Sequence, residues 1–332
     1  MSTPMPATRS VPAWDPEIAL DALASARQAA AGPCKAAQPD LAVVRIEGPD
    51  AREFLHGQLA ADIAGLAAGR GVLTAWCSAQ GRVLFLLRVC AAVDHFDLVL
   101  PRAQAMTLVQ RLRLFVLRAR VSIAETDALV FGLVPADGAD RPAPDTAPDT
   151  ARDADGVTLL GVAGARPRCL VFGPPAALVS CWNARPEPAV RPAAWTLLDI
   201  EAGIPSFAPM LADQCLPQHL NLDAGPGISF TKGCYPGQEV IARLKYRGQV
   251  KSRLMCGTLA AAVAIEPGTK LYAPGDGSGN TIGMVVAGAP DATGGSAVLA
   301  VVEFERVRSA PAALGAPDGP AVQFRPAPGW PA

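Results

Sequence analysis

Between Val72 and Leu100 the chain carries three apolar runs joined by short turns, and no other stretch restricts the fold as much. Val72–Cys77 and Arg82–Cys90 flank Ser78-Ala79-Gln80-Gly81, with glycine at the turn, which is the pattern of a β-hairpin. A third run, His95–Leu100, follows after Ala92-Val93-Asp94. Strands that adjoin one another in this way, instead of alternating with helices, predict an α+β fold and exclude a doubly wound parallel sheet. The flanks agree: Leu41–Ile46 reads as a strand, Asp50 can cap a helix from Ala51 to about Ile63, and Arg102 to about Leu114 reads as a second helix. Strands are expected at Leu117–Ile123 and Ala128–Val134.

The remainder is organised around breaks in composition. Residues 1–39 read as a flexible lead-in followed by a short Ala-rich helix within Ile18–Ala30. Residues 135–156 are rich in Pro, Asp, Ala and Thr and poor in aliphatics, so an exposed flexible loop is expected. Strands near Thr158–Val162 and Cys169–Phe172 and a helix after Pro174-Pro175 make a smaller α/β piece, giving a unit over 135–195. Ala193–Ala202 is helical by pattern and ends at Gly203, a residue suited to the position after a helix. With 40–134, residues 196–250 are expected to form one α+β unit, and 251–332 a C-terminal β-barrel with a tail. Four short strands support the barrel: Ser252–Leu259, Lys270–Tyr272, Thr281–Ala287 and Ala297–Phe304.

Composition removes several function classes. Half of the 332 residues are apolar and the net charge is −1, so large cores can form and no global field favours nucleic acid. The eight cysteines never come closer than 12 positions, and only His56, His95 and His219 could join them, so no intrinsic metal site is expected. No secretory leader and no 18-residue apolar stretch is seen, which points to the cytoplasm and to no membrane contact. Neither Gly-rich phosphate-loop pattern is present, so nucleotide cofactors lack support.

One cysteine stands apart. Cys234 lies in Lys232-Gly233-Cys234-Tyr235-Pro236-Gly237-Gln238-Glu239, between two glycines and two residues after a lysine that would lower its pKa. A helix-like run to Lys245 follows, with Glu239 and Arg243 spaced for an i,i+4 pair. Free cysteines are commonly small buried hydrophobes, but the neighbours of Cys234 are not aliphatic. From Lys232 to Arg253 six cations face one acid, either a solvated face or an attraction for a small polyanion. A nucleophilic role would need a base, and His219 is nearest in sequence; a redox role would run through a mixed disulfide or a bound cofactor.

The Lys232–Glu239 stretch, followed by Arg243, resembles the Lys-Gly-Cys-Tyr-x-Gly-Gln-Glu signature of the folate-binding YgfZ-type family, relatives of the glycine-cleavage T-protein, an aminomethyltransferase. Glu201-Ala202-Gly203-Ile204-Pro205, Pro217-Gln218 with Asn221-Leu222, and Gly227-Ile228-Ser229-Phe230 extend the resemblance, and weaker similarity reaches back to Phe54-Leu55-His56-Gly57-Gln58. It implies a three-domain ring with a folate pocket and a C-terminal barrel. It also implies a tetrahydrofolate-supported role in assembly or repair of iron–sulfur proteins, with iron–sulfur enzymes or their assembly machinery as partners. Cys234 would be the functional thiol, flanked by Lys232 and Tyr235. Glu201 matches the position that holds the pterin ring, and Gln218, Asn221, Gly237, Gln238, Glu239, Arg243 and Arg247 would complete the folate site, the arginines meeting the glutamate tail. The alternative is a folate-dependent aminomethyl or methyl transferase. Against it, T-proteins carry an aspartate pair where this chain has Phe85-Leu86, and arginine where it has Asp199.

Overall fold

In a computed structural model that describes residues 14, 16–136, 147–273, 279–308 and 310–329, the protein is built on three β-sheets. α1 (Ala22–Ala31) leads into β1 (Cys34–Ala37), β2 (Leu41–Glu47), α2 (Ala51–Gln58), β3 (Arg70–Cys77), β4 (Val83–Ala91) and β5 (His95–Pro101). Next come α3 (Arg102–Arg113), β6 (Ser122–Glu125), β7 (Leu129–Val134), β8 (Ala151–Ala154), β9 (Val157–Val162) and β10 (Arg168–Gly173). α4 (Pro175–Asn183), β11 (Ala189–Val190) and α5 (Pro192–Glu201) precede three short 3-10 turns and α6 (Gln238–Arg247). The chain closes with β12 (Ser252–Leu259), β13 (Lys270–Tyr272), β14 (Thr281–Pro290), β15 (Ser296–Glu303), α7 (Phe304–Val307), β16 (Ala312–Leu314) and β17 (Ala321–Pro326).

The expected hairpin is β3–β4, and it sits in an antiparallel sheet of order β3-β4-β5-β2-β6. α2 and α3 cover one face of it. Phe54, Leu55, Leu108 and Leu112 pack on Ile46, Phe85, Leu87, Val89 and Leu98, each such burial contributing about 1.5–3 kcal/mol. Because side chains alternate along a strand, Leu86 and Arg88 then point away from the helices, toward the interior of the molecule. The outer edge of β3 is not bare. The Ala60 amide donates to Ala75 and the Gly71 amide to Asp149, while the Ala151 amide donates to Gly69.

Three expectations are corrected. The strand expected over Leu117–Ile123 begins only at Ser122, as β6, and Leu114 and Leu117 are exposed; Asp50, expected to cap α2, instead accepts from the Arg120 amide and pairs with its guanidinium. α2 consequently has no side-chain cap and stops at Gln58, short of Ile63. Of the 135–156 loop, 137–146 lies outside the described residues, but Ala151–Ala154 pairs with β9 and so is part of a sheet. That second sheet runs β11-β1-β7-β10-β9-β8, so Cys34–Ala37 from the presumed lead-in and Leu129–Val134 both join the strands of the 151–190 segment.

The barrel closes in the order β12-β15-β14-β13-β16-β17, with β17 hydrogen-bonded back to β12. β16 and β17 were not legible among Pro, Gly and Ala, yet without them β12 and β13 would be open edges. α5 ends as expected: Gly203 follows it at φ 68°, where its amide reaches Ile200 and the Ile204 amide reaches Asp199. Among the described residues no helix is long and apolar enough to cross a membrane.

Candidate functional site

The Lys232–Glu239 stretch forms a surface turn feeding α6, and its two glycines do different things. Gly237 is in the left-handed region at φ 81°, and a Cβ there would stand 2.5 Å from both Gly81 Cα and Ser78 O in the β3–β4 turn. Gly81, itself at φ 75°, makes the same approach from the other side. Gly233, by contrast, faces open space. The two-glycine contact seats the helix on the hairpin turn.

Lys232 directs its hydrogen bonds to backbone carbonyls. Its Nζ donates to His56 O, to Leu59 O at 2.7 Å and to Ala61 O at 3.0 Å, so its three protons bind the chain where α2 ends. Burial pulls its pKa down to about 8, and the ammonium stacks 5.0 Å over the Tyr235 ring. Tyr235 is buried and its hydroxyl points at Ser229 O, so it anchors the turn. Tyr235 and Ile241 belong to the same apolar cluster as Leu86, Ile200 and Phe207.

Of the eight cysteines only Cys234 is exposed. Burial raises the others where a shift is resolved, Cys34 to about 11 and Cys90, Cys169 and Cys215 to about 12, so they are inert thiols. Titration of the native protein with a disulfide reagent is expected to show one fast thiol, abolished by Cys234→Ser. Two or more fast thiols in the folded protein would contradict this placement.

Gln218 and Asn221 are braces. Gln218 Nε2 donates to Ile241 O at 2.7 Å, fixing α6, and Asn221, at φ 57°, donates to Leu254 O at 3.0 Å, fixing β12. Arg253 clamps the same turn through Asp223 at 2.6 and 3.0 Å. Gln238 makes a long contact with Lys232 O at 3.5 Å, and Glu239 forms no ion pair with Arg243 despite the spacing. Arg243, Lys245, Arg247 and Tyr246 leave α6 with a basic, partly aromatic outer face.

His219 serves the fold as well. Its Nδ1 accepts from the Leu216 amide, and burial, with help from Arg82 and Arg253, holds its pKa down to about 4. An unfolded chain titrates near pH 6.5 and so takes the proton first. The stabilisation from His219 is therefore complete above pH 6.5 and is lost as pH falls toward 4, by about 3 kcal/mol in all. Denaturant melts at pH 7, 5.5 and 4 should show a shallower acid loss for His219→Gln; equal slopes would refute the assignment.

The interior holds a cavity of about 110 Å³ between the first sheet, the second sheet and α5. Its wall is mixed, with Leu73, Leu86, Leu170, Trp195 and Phe207 beside the polar Gln38, Thr196 and Ser206 and the charged Arg88 and Asp199. No residue of Lys232–Glu239 lines it, but Tyr235 shares an apolar cluster with Leu86 and Phe207 of its wall. Phe85 stacks on Trp76 at 5.5 Å on the helix side, so only Leu86 of the expected carboxylate pair is at the cavity.

Glu201 sits elsewhere. It lines a smaller cavity of about 50 Å³ with Gly164, Arg166, Arg168 and Leu198, where burial raises its pKa against the pull of Arg325 from the barrel and of Arg166 and Arg168. Arg168 is buried, stacks 4.8 Å over Trp195 of the larger cavity and is ion-paired at 2.7 Å with Asp199 Oδ1, although neither of its Nη nitrogens meets hydrogen-bond geometry. Arg88, Arg168 and Trp195 were missed from sequence; the available signal was an arginine interrupting the run Val83–Cys90.

No family model matches the chain. Curated relatives named tRNA-modifying protein YgfZ do. That of Edwardsiella ictaluri is 38% identical over 215 residues, covering 62% of this chain and 65% of its own, just under two thirds of its length. That of Cronobacter sakazakii is 33% identical over 223 residues, 65% of this chain and 68% of its own. That of Klebsiella pneumoniae is 34% identical over 245 residues, 70% of this chain and 73% of its own. Among solved structures, the glycine cleavage system aminomethyltransferase T of Bartonella henselae superposes with a TM-score of 0.73 at 16% identity, covering 92% of this chain and 90% of that one. The fold is thus that of the aminomethyltransferase T, and by sequence the chain belongs to the YgfZ family.

Proposed function

We propose that this protein binds a reduced folate in its interior and acts, through the exposed thiol of Cys234, in the upkeep of iron–sulfur proteins. The observation that carries the reading is an interior cavity holding an arginine and an aspartate, two of whose wall residues, Leu86 and Phe207, share an apolar cluster with Tyr235, the neighbour of the one exposed cysteine. Glu201 remains a folate ligand in this reading from the smaller cavity, and Arg243 and Arg247 are placed on a solvent face where a glutamate tail could be met. An aminomethyl or methyl transferase would need a carboxylate where Leu86 stands, so binding without turnover is expected. The relatives' tRNA-modifying name fits a supporting role: with a net charge of −1, partner enzymes are better suited to this surface than tRNA itself.

Calorimetric titration with tetrahydrofolate tests pocket and thiol separately. Wild type and Cys234→Ala should bind alike, and Glu201→Ala more weakly. In cells, Cys234→Ala should lower the activity of iron–sulfur enzymes. Absence of binding in wild type would remove the folate reading, and unchanged enzyme activity would remove the thiol.

A further inference from the structure

Arg88 occupies the middle of a central strand, paired with Leu73 on β3 and Val99 on β5, and lies in the wall of the larger cavity. Among the described residues its guanidinium forms neither a hydrogen bond nor an ion pair; Asp199 and Asp149 favour its charge, and Arg168 opposes it, only through space. Desolvation disfavours its charge, yet arginine does not give up its proton. Half-buried and with no protein partner, this cation is available to a ligand that supplies one. Its surroundings narrow the ligand. Asp199 faces the same cavity, where one of its oxygens is held by Arg168 and the other is free; only when Arg168, behind the wall, is counted with them do the charges sum to one positive in excess. Trp195 and the aliphatic side chains of the wall leave room for something apolar in body.

We propose that Arg88 and Asp199 together read the lactam edge of a planar heterocycle, Arg88 donating to its ring carbonyl oxygen and the free oxygen of Asp199 accepting the adjacent ring N–H. A carbonyl beside an N–H is matched by one donor fork and one acceptor, and by neither alone. Resting on the folate reading, this assigns the pterin end to the larger cavity and makes Asp199, not Glu201, its principal carboxylate.

The test uses three probes: tetrahydrofolate, 6-methyltetrahydropterin, which has the ring without the tail, and p-aminobenzoylglutamate, which has the tail without the ring. Arg88→Met and Asp199→Asn should each weaken the first two by about tenfold or more and leave the third unchanged. Arg88→Lys, which keeps the charge and loses the fork, should fall between. Arg88→Met should not lower the melting temperature, since no protein partner of the guanidinium is lost. Wild-type binding of the ring probes with Arg88→Met and Asp199→Asn unaffected would overturn this inference and leave the folate reading standing. A fall in melting temperature for Arg88→Met would overturn it too, marking a structural arginine. Failure of wild type to bind any probe would overturn both readings.

Discussion

Replacing Gly237 by alanine is expected to destabilise the protein by about 3 kcal/mol or more, while the same change at Gly233, four residues earlier, should stay within about 0.5 kcal/mol. Two costs add at Gly237. A side chain at φ 81° costs about 1–2 kcal/mol, and its Cβ would overlap backbone atoms of Gly81 and Ser78 at 2.5 Å, which cannot rotate away. Gly233 has nothing within 4 Å. Thermal melts of the two variants decide the matter: a Gly237→Ala protein melting within about 2 °C of wild type would show that the hairpin turn and α6 do not meet as described.

Lys232→Met should cost about 2–4 kcal/mol, because a charged donor serving three carbonyls is replaced by a group of similar length that serves none. Water can reach a half-buried site and recovers part of the loss, which sets the lower figure. Lys232→Arg should lie between, since a planar fork cannot reproduce three diverging bonds. If Lys232 served only to activate Cys234, the methionine variant would melt like wild type and lose thiol reactivity alone; that result would sink the structural role.

What could be read from sequence was local. The β3–β4 hairpin, the end of α5 at Gly203 and the singularity of Cys234 all rest on residues a few positions apart, and all are present. What could not be read depends on distant partners. Lys232 is defined by carbonyls more than 170 positions upstream, and Asp50 by an arginine 70 positions away that draws it from its capping role. Gln218 and Asn221 have a structural task that their sequence positions did not show: their amides hold backbone of α6 and β12. The charges at the larger cavity were hidden because a single arginine within an apolar strand does not show what it faces, and Asp199 read as a mismatch, until the fold set both in one wall.

The covered edge of β3 has a consequence for how this protein fails. An eight-residue strand with a free edge is a template for pairing with another molecule, and here that edge is occupied by the segments around Ala60 and Asp149–Ala151. The first of these is the segment that Lys232 holds through Leu59 and Ala61. Damage to the lysine therefore uncovers a strand as well as loosening a turn, so that self-association, rather than simple softening, is how a weakened molecule would leave solution.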